Sequence, residues 1–378
     1  MKQKKIPAKQ APAPSVKAPL NTGKRASAMV KPFSNWRANR YIYLFLLILA
    51  FILYGNTIMN KYAIDDTHVT NNELVAKGFK AIPEIFSSRY VTEQGNLGAT
   101  AADYRPVVKL TFALEYQFWG QKPGRSHAIN ILLYWLASVV LFSVLRRLFT
   151  GYNILFPFLA TLLFMVHPLH TEVVASLKNR DELLAFLFGM SALSMILSYI
   201  ERKNIVYLAL AALFFLTGYL SKSSILPFLL LIPLALWFFT NTSWKTLVAM
   251  LAILGVVVII AQFGPKMYLA DAQRTNLFIE NPLFGEKNIW LRLGTGLVSL
   301  LFYVKMLFWP HPLLYYYGFD MIPVVSLGDY RALLSLVLFP RGKKHAGARK
   351  SSHLCLRQRL SVFLNGYGGG SARGGNRR

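Results

Sequence analysis

The chain has 378 residues, of which 54% are hydrophobic and 15% charged, and its mean hydropathy is +0.38. A soluble domain carries about 25% charged residues, so this composition excludes a disordered chain and argues against a soluble enzyme. The formal charge of +26 comes mostly from two tails, 1–40 and 341–378, because each holds ten basic residues and no acid. The single cysteine, Cys355, excludes an intrachain disulfide.

The first 40 residues alternate proline with lysine and alanine, and they contain no run that could bury a core. We predict a solvated basic tail on the cytoplasmic side, where it lies against anionic lipid. A mitochondrial transit peptide is the alternative for this segment.

Apolar runs then recur along the chain. A bilayer core about 30 Å thick needs about 20 apolar residues in a helix, and the runs lack the alternation of barrel strands. The run at 292–310 contains Arg292 and Lys305, so it is either a span or an interfacial helix. We predict an all-α fold, a polytopic membrane helix bundle with seven or eight transmembrane helices, from the runs at 41–59, 127–145, 154–168, 183–200, 205–221, 223–239, 246–263 and 292–310.

Short basic connections predict the orientation of the bundle. With every run counted as a span, Arg146–Arg147 and Arg202–Lys203 fall on the same side as the N-terminal tail, and the positive-inside rule makes that side the cytoplasm. The long connection 60–126 then lies outside. It contains two predicted interfacial helices, around Glu73–Ile85 and Val107–Trp119.

The sequence changes character near its C-terminal end. An apolar run at 332–339 stops at about half the length of a span, and the residues after it are rich in Gly, Arg, Lys and Ser. Two interpretations stay open: a truncated or frame-shifted C-terminus, and a genuine basic tail. The expected organisation is a basic, proline-rich cytoplasmic tail at 1–40, a transmembrane domain at 41–339 and a basic Gly/Arg-rich tail at 340–378 that is disordered or frame-shifted.

Polar residues gather at the predicted outer ends of the helices, and such clusters at one membrane surface indicate a functional site. Each has an ordinary alternative: the carboxylate pair is solvated, and a lone lysine reaches to lipid phosphates. Carboxylates combined with cations suit a phosphate head group and a proton taken from an acceptor. The candidates are Asp65, Asp66, Arg105, His127, Asn130, His167, His170, Glu172, Arg180, Asp181 and Lys222.

His167 and His170 lie three residues apart, so one helical face could hold both. Together with Glu172 they could bind a divalent metal ion. The spacing differs from the His-x-x-x-His pattern of zinc proteases, and helix capping with bonds to neighbouring backbone is the alternative.

The order of these short motifs resembles the multi-spanning GT-C glycosyltransferases of the transmembrane and tetratricopeptide-repeat O-mannosyltransferase type, and their bacterial relatives. The resemblance extends from about residue 41 to 339. The motifs are Asp65-Asp66, Tyr104-Arg105-Pro106, His127 with Asn130, His167-Pro168-Leu169-His170-Thr171-Glu172, Arg180-Asp181 and Leu220-Ser221-Lys222.

Two features depart from that family's pattern. An acid usually follows the lysine of the Ser-Lys motif, whereas Ser223 stands here, which leaves the charge partner of Lys222 open. The family also continues with further spans and tetratricopeptide repeats, whereas the resemblance here ends at Phe339.

The resemblance implies a GT-C-like fold and transfer of a mannose-like sugar from a polyprenyl-phosphate donor to a hydroxyl of a protein or glycolipid, on the outer face of a bacterial inner membrane. It implies that Asp65 or Asp66 is the base and that Arg105, Arg180 and Lys222 bind the donor phosphate. The residues left to orient these groups or bind substrate, with or without a divalent metal ion, are His127, Asn130, His167, His170, Glu172 and Asp181.

Two other functions remain open at this point. A polytopic transporter would need polar residues near the bilayer midplane and an internal repeat, and we find no repeat. An inactive truncated fragment of the transferase would have the same helices without activity. A nucleic-acid partner is not expected, because the basic tails lack a folded, aromatic-containing binding module.

Overall fold

Every regular element in the described part of the chain is a helix, which confirms the predicted all-α fold. The described residues form two compact units, one before and one after Thr275. Side chains are described from Asn39 onward. The computed structural model describes residues 36–63, 66, 72–88, 104–267, 269, 283–314, 317 and 321–338. The expectations for residues 1–35 and 339–378 therefore lie outside the described residues.

The helices of the first unit coincide with the seven predicted apolar runs and with the two predicted helical regions of the long connection. Short 3-10 turns occur at Gly55–Met59, Gly78–Ala81, Ser223–Ile225 and Pro265–Met267. The α-helices described in this unit are α1 (Trp36–Tyr54), α2 (Glu73–Ala76), α3 (Ile82–Phe86), α4 (Pro106–Trp119), α5 (Pro123–Leu148), α6 (Leu155–Val166), α7 (His170–Ala175), α8 (Arg180–Arg202), α9 (Ile205–Tyr219), α10 (Phe228–Phe239) and α11 (Trp244–Phe263).

Five helical segments in the described residues are long and apolar enough to cross a membrane: Asn39–Met59, Pro123–Leu148, Arg180–Arg202, Trp244–Met267 and Ile289–Phe308. Three further apolar segments are shorter: Leu155–Val166, Ile205–Tyr219 and Ser223–Phe239. At 1.5 Å per residue, the shortest is about 18 Å long, less than the bilayer core. The protein is thus a helical membrane protein, and the count of seven or eight spans stays a prediction.

Local signals set where the helices begin. α4 and α5 start with Pro106 and Pro123. Proline is favourable there because backbone N–H groups in the first turn of a helix have no acceptor within the helix, so the N–H that proline lacks is not needed. Asn204 caps α9 through its Oδ1, which accepts a backbone N–H two residues later at 2.9 Å. Ser243 caps α11 in the same way at 3.2 Å.

Helices α5 and α8 form the centre of the first unit. In the most apolar stretches of α5 and α8, 50% and 67% of the residues are buried. The corresponding shares are 28% for the segment that begins with α1 and 22% for the segment that begins with α11. Arg180, at the start of α8, bonds to the backbone of Ser126 at the start of α5. Arg147, near the end of α5, pairs with Glu201 near the end of α8 at 2.9 Å. The two helices therefore run parallel, with both N-termini at one end.

The connection between α1 and α5 folds onto that same end. Leu74, Ala81 and Ile85 from the α2–α3 segment pack against Ala113 of α4. Another apolar cluster joins α4 to α8: Val75, Val108, Phe112, Leu177 and Leu184. The two predicted helical regions therefore exist, and their interfacial position stays a prediction.

The second unit contains α12 (Ile289–Phe308) and α13 (Tyr330–Leu338) among its described residues. Thr295 Oγ1 on α12 accepts the N–H of Val325 at 3.1 Å. A Cβ on Gly294 would lie 2.4 Å from the Val325 carbonyl oxygen, so only glycine allows this approach.

Candidate functional site

The predicted polar residues that the structure describes collect at the end of the first unit where α5 and α8 begin. A buried acid is central to the cluster. Asp181, in the first turn of α8, is 0% exposed. Its Oδ2 lies 2.5 Å from Arg105 Nη1, and its Oδ1 lies 3.1 Å from Lys222 Nζ. One carboxylate thus holds two cations that come from positions 76 residues before it and 41 residues after it.

Lys222 has a second acidic partner. Its Nζ lies 2.9 Å from Glu182 Oε1, and the other oxygen of Glu182 accepts the hydroxyl of Ser224 at 2.6 Å. The charge partners that the sequence left open for Lys222 are therefore supplied by α8. The side chains of Arg105 and Lys222 stay 17% and 21% exposed, so neither is fully buried.

Arg180 directly precedes Asp181 in sequence, and its side chain is fully enclosed by protein groups. Its Nε donates to Asn130 Oδ1 at 2.7 Å, and its Nη2 donates to the Ser126 carbonyl at 3.0 Å. Its Nη1 donates to Glu115, and the guanidinium lies 3.8 Å from the Phe112 ring centroid. The predicted phosphate-binding residue is thus engaged by protein on every side the structure describes.

Asp66 joins the segment after α1 to the loop before α8. It is 2% exposed. Its Oδ1 accepts the backbone N–H of Lys178 at 2.8 Å, and its Oδ2 accepts that of Ala63 at 3.0 Å. Asp66 therefore lies beside the residues that lead into Arg180. Its predicted partner, Asp65, lies outside the described residues.

His127 and Asn130 occupy the first turns of α5 and are both buried. Asn130 Nδ2 donates to the carbonyls of Val174 and Ser176 at 3.3 Å each, so it links α5 to the α7–α8 segment.

His167, His170 and Glu172 lie together at the end of α6 and in α7, but no group of three potential metal ligands forms among the described residues. Their side chains bond to protein instead: His167 Nδ1 accepts the N–H of Leu169 at 3.3 Å, and Glu172 accepts from Asn179 at 3.1 Å. Burial, and to a lesser degree His167, lower the pKa of His170 to about 4, so this ring is neutral at pH 7.

Sequence reasoning missed Glu115, the buried acid that pairs with Arg180. Its second oxygen accepts the hydroxyl of Ser126 at 2.5 Å. The signal in the sequence is an acid within a largely apolar helix, α4, because such a residue needs a partner when it is buried.

A small cleft borders this pair. Its interior of about 10 Å³ has room for about one water molecule. It is lined by Tyr62, Val75, Phe112, Glu115, Tyr116, Gly120, Gln121 and Ser126. Burial raises the pKa of the Tyr62 phenol, so its hydroxyl keeps its proton at neutral pH and can donate.

Lys109 is a second buried charge that sequence reasoning missed. It is 1% exposed, and its Nζ lies 3.5 Å from the hydroxyl of Ser88. Burial lowers its pKa to about 8, while the negative charge of Glu84 acts in the opposite direction. Lys109 thereby links α4 to the segment that ends α3.

The fold and this charged cluster define a class: an all-helical membrane protein with a buried ionic site at one end of its bundle. No family model matches the chain, and no solved structure gives a significant match.

Curated relatives name the type of protein that the chain is similar to. It is 31% identical over 153 residues to the protein O-mannosyl-transferase F38B6.6 of Caenorhabditis elegans, over 40% of this chain and 22% of that protein. It is 32% identical over 143 residues to human TMTC1, over 37% of this chain and 16% of that protein. It is 27% identical over 309 residues to Drosophila melanogaster Tmtc2, over 76% of this chain. Both of the latter are also named protein O-mannosyl-transferases. The match covers 32% of the fly protein, so the chain spans a minor part of the length of these relatives.

Proposed function

We propose that the chain is the membrane part of a glycosyltransferase that moves a mannose-like sugar from a polyprenyl-phosphate donor to a hydroxyl acceptor, a protein Ser or Thr. The names of its relatives support the sugar and the acceptor class. The donor class rests on the chemistry of the site, which combines accessible cations with carboxylates at one end of an apolar bundle.

One observation carries the proposal: Arg105 and Lys222 meet on the buried carboxylate of Asp181. Two cations held on one carboxylate at a bundle end suit an anionic head group whose lipid tail lies among the helices. A transporter would need its polar groups nearer the midplane, so this placement favours the transferase over the transporter.

The proposed reaction is a single in-line displacement at the sugar C1. The acceptor oxygen forms the new bond to C1 while the bond from C1 to the phosphate oxygen breaks, and its electron pair leaves on the phosphate. The acceptor proton passes to a carboxylate, for which Asp65 or Asp66 is proposed. The two backbone N–H groups that Asp66 accepts would hold its carboxylate in a fixed orientation for that role.

Charge develops on the departing phosphate, and preorganised cations stabilise it without reorganising during the reaction. Arg105 and Lys222 are proposed to face the phosphate because their side chains are partly exposed. Arg180 is proposed to act indirectly, since its guanidinium is enclosed. It would hold in place the first turn of α8, which carries Asp181. The proposed orienting or substrate-binding groups are His127, Asn130, His167, His170, Glu172 and Asp181.

The test is transfer by the purified full chain, reconstituted with a polyprenyl-phosphate mannose and a Ser/Thr peptide, followed by mass spectrometry of the peptide. Asp65→Asn and Asp66→Asn remove the candidate bases one at a time. We expect the variant that lacks the base to lose about 10²- to 10⁴-fold in rate, because the chain then has no carboxylate in place to accept the proton of the acceptor hydroxyl.

Asp329→Asn is the matched control, since this acid pairs with Arg331 in the second unit and is not part of the site. Full activity in both site variants would show that neither carboxylate is the base. Solute flux in liposomes without any transfer would favour a transporter, and the absence of both activities would favour an inactive fragment.

A further inference from the structure

We propose that Glu115 is a positioning residue that fixes, through Arg180, the two cations of the donor-phosphate site; this inference rests on the proposed function. Glu115 is 7% exposed. Both of its carboxylate oxygens are engaged, one by Arg180 and the other by the hydroxyl of Ser126. Its negative charge thus compensates the one cation of the site that is fully buried.

The linkage from Glu115 to the phosphate site is short. Arg180 is followed directly by Asp181, whose carboxylate holds Arg105 and Lys222. Arg105 lies just before the first residue of α4, the helix that carries Glu115. Two ion pairs therefore join α4 to the first turn of α8, and a shift of Arg180 carries Asp181 and its cations with it.

The competing explanation is that the Arg180–Glu115 pair only stabilises the fold. The chain provides its own comparison, because a second, largely buried pair, Arg147 with Glu201, joins α5 and α8 at the opposite end; the two side chains are 5% and 14% exposed. Arg147 also bonds to the hydroxyls of Ser194 and Ser198. The two pairs have the same chemistry and similar burial, and they differ in their distance from the phosphate site.

The experiment compares Glu115→Asp with Glu201→Asp in the full chain. Each variant keeps its charge and moves the carboxylate back by one methylene. We expect E115D to raise the donor KM, and the Kd for sugar-free polyprenyl phosphate, about 10- to 100-fold, as a misplacement of about 1 Å does. The acceptor KM should stay unchanged. E201D should leave the donor KM and the Kd for polyprenyl phosphate unchanged. The two variants should lower the unfolding temperature by similar amounts.

A milder pair of variants serves if E115D does not fold. Ser126→Ala removes the hydroxyl that donates to Glu115, and Ser198→Ala removes a hydroxyl that accepts from Arg147 of the comparison pair. S126A should raise the Kd for polyprenyl phosphate, and S198A should not.

Equal effects at the two ends, or no effect at either, contradict the inference, and so does a wild-type chain that does not bind polyprenyl phosphate. One outcome would separate the two proposals. If the wild-type chain binds this lipid, E115D weakens that binding and E201D does not, the role of Glu115 is supported. If the same wild-type chain transfers no sugar, the proposed function is contradicted.

Discussion

At the scale of single residues, the site depends on one carboxylate shared by two cations. Asp181 is fully buried and uses both oxygens, one for Arg105 and one for Lys222. The attraction of two cations offsets part of the desolvation cost of this buried acid, whereas an unpaired charge there would bear the full cost. The same arrangement keeps the two cations on one carboxylate despite their mutual repulsion, and the proposed phosphate would therefore meet preorganised charges.

His170 should make stability depend on pH. Its pKa in the folded chain is about 4 because burial disfavours the charged ring, against about 6.5 when exposed. The unfolded chain therefore binds a proton first as pH falls, so stability decreases from about pH 6.5 towards 4. The loss amounts to at most about 3 kcal/mol, at about 1.4 kcal/mol per pKa unit.

The measurement is the unfolding temperature of wild type and His170→Gln in detergent between pH 7 and 4. The variant should lose less stability over this range, since it has no ring to protonate. His311→Gln, at an exposed position of the second unit, is the control and should follow wild type. Parallel curves for wild type and H170Q would contradict a partly buried ring that stays neutral in the folded chain.

At the scale of elements, glycines set how closely the helices approach. A Cβ on Gly189 of α8 would lie 2.6–2.8 Å from ring atoms of Phe228, the first residue of α10. Membrane helices associate through such small residues because lipid offers no hydrophobic drive between them. We expect Gly189→Ala to destabilise the fold by about 1–3 kcal/mol, the cost of overpacking.

Gly255→Ala on α11 is the matched comparison, because nothing lies within 4 Å of a Cβ there. This change should be neutral or stabilising by up to about 1 kcal/mol, since alanine favours helix over glycine. Thermal unfolding in detergent measures both. A G189A protein as stable as G255A would mean that α8 and α10 do not touch as described.

Most helices could be predicted because apolar runs near the length of a span have few other structures available in lipid. Their ends were less accessible to sequence reasoning. The run predicted at 223–239 begins as a 3-10 turn, and α10 itself starts at Phe228, directly after Pro227. α8 starts at Arg180, three residues before the predicted run, because its first turn is charged but paired.

At the scale of the whole molecule, counting helix directions was enough to place the described site residues at one end. It could not tell which residues would pair. Lys222 takes its acids from α8 and not from its own neighbours. Glu115 was missed because its partner, Arg180, lies 65 residues away in sequence, and spacing within one helix carries no information about such a pair.

The direction of α5 and α8 gives a test of topology. Their parallel course puts the loop before α5 and the loop after α8 at opposite ends of the first unit. In a Cys355→Ala background, Lys122→Cys and Lys203→Cys should react with a membrane-impermeant maleimide from opposite sides. Since the predicted cytoplasmic side carries Lys203, intact cells should label K122C only, and inside-out vesicles should label K203C only.

Labelling of both positions from the same side would contradict the spanning direction of these helices. Labelling from opposite sides in the reverse sense would leave the bundle intact but place the site in the cytoplasm. The predicted outer-face reaction would then be wrong.

The two arginines that connect α5 and α8 are reciprocal: α8 sends Arg180 into the start of α5, and α5 sends Arg147 into the end of α8. Twisting one helix about its axis, or sliding it like a piston, would break both contacts together. Helices α5 and α8 therefore resist both rotation and sliding of one against the other. A change in bilayer thickness should therefore displace the less buried helices, such as α1 and α11, before it separates this pair.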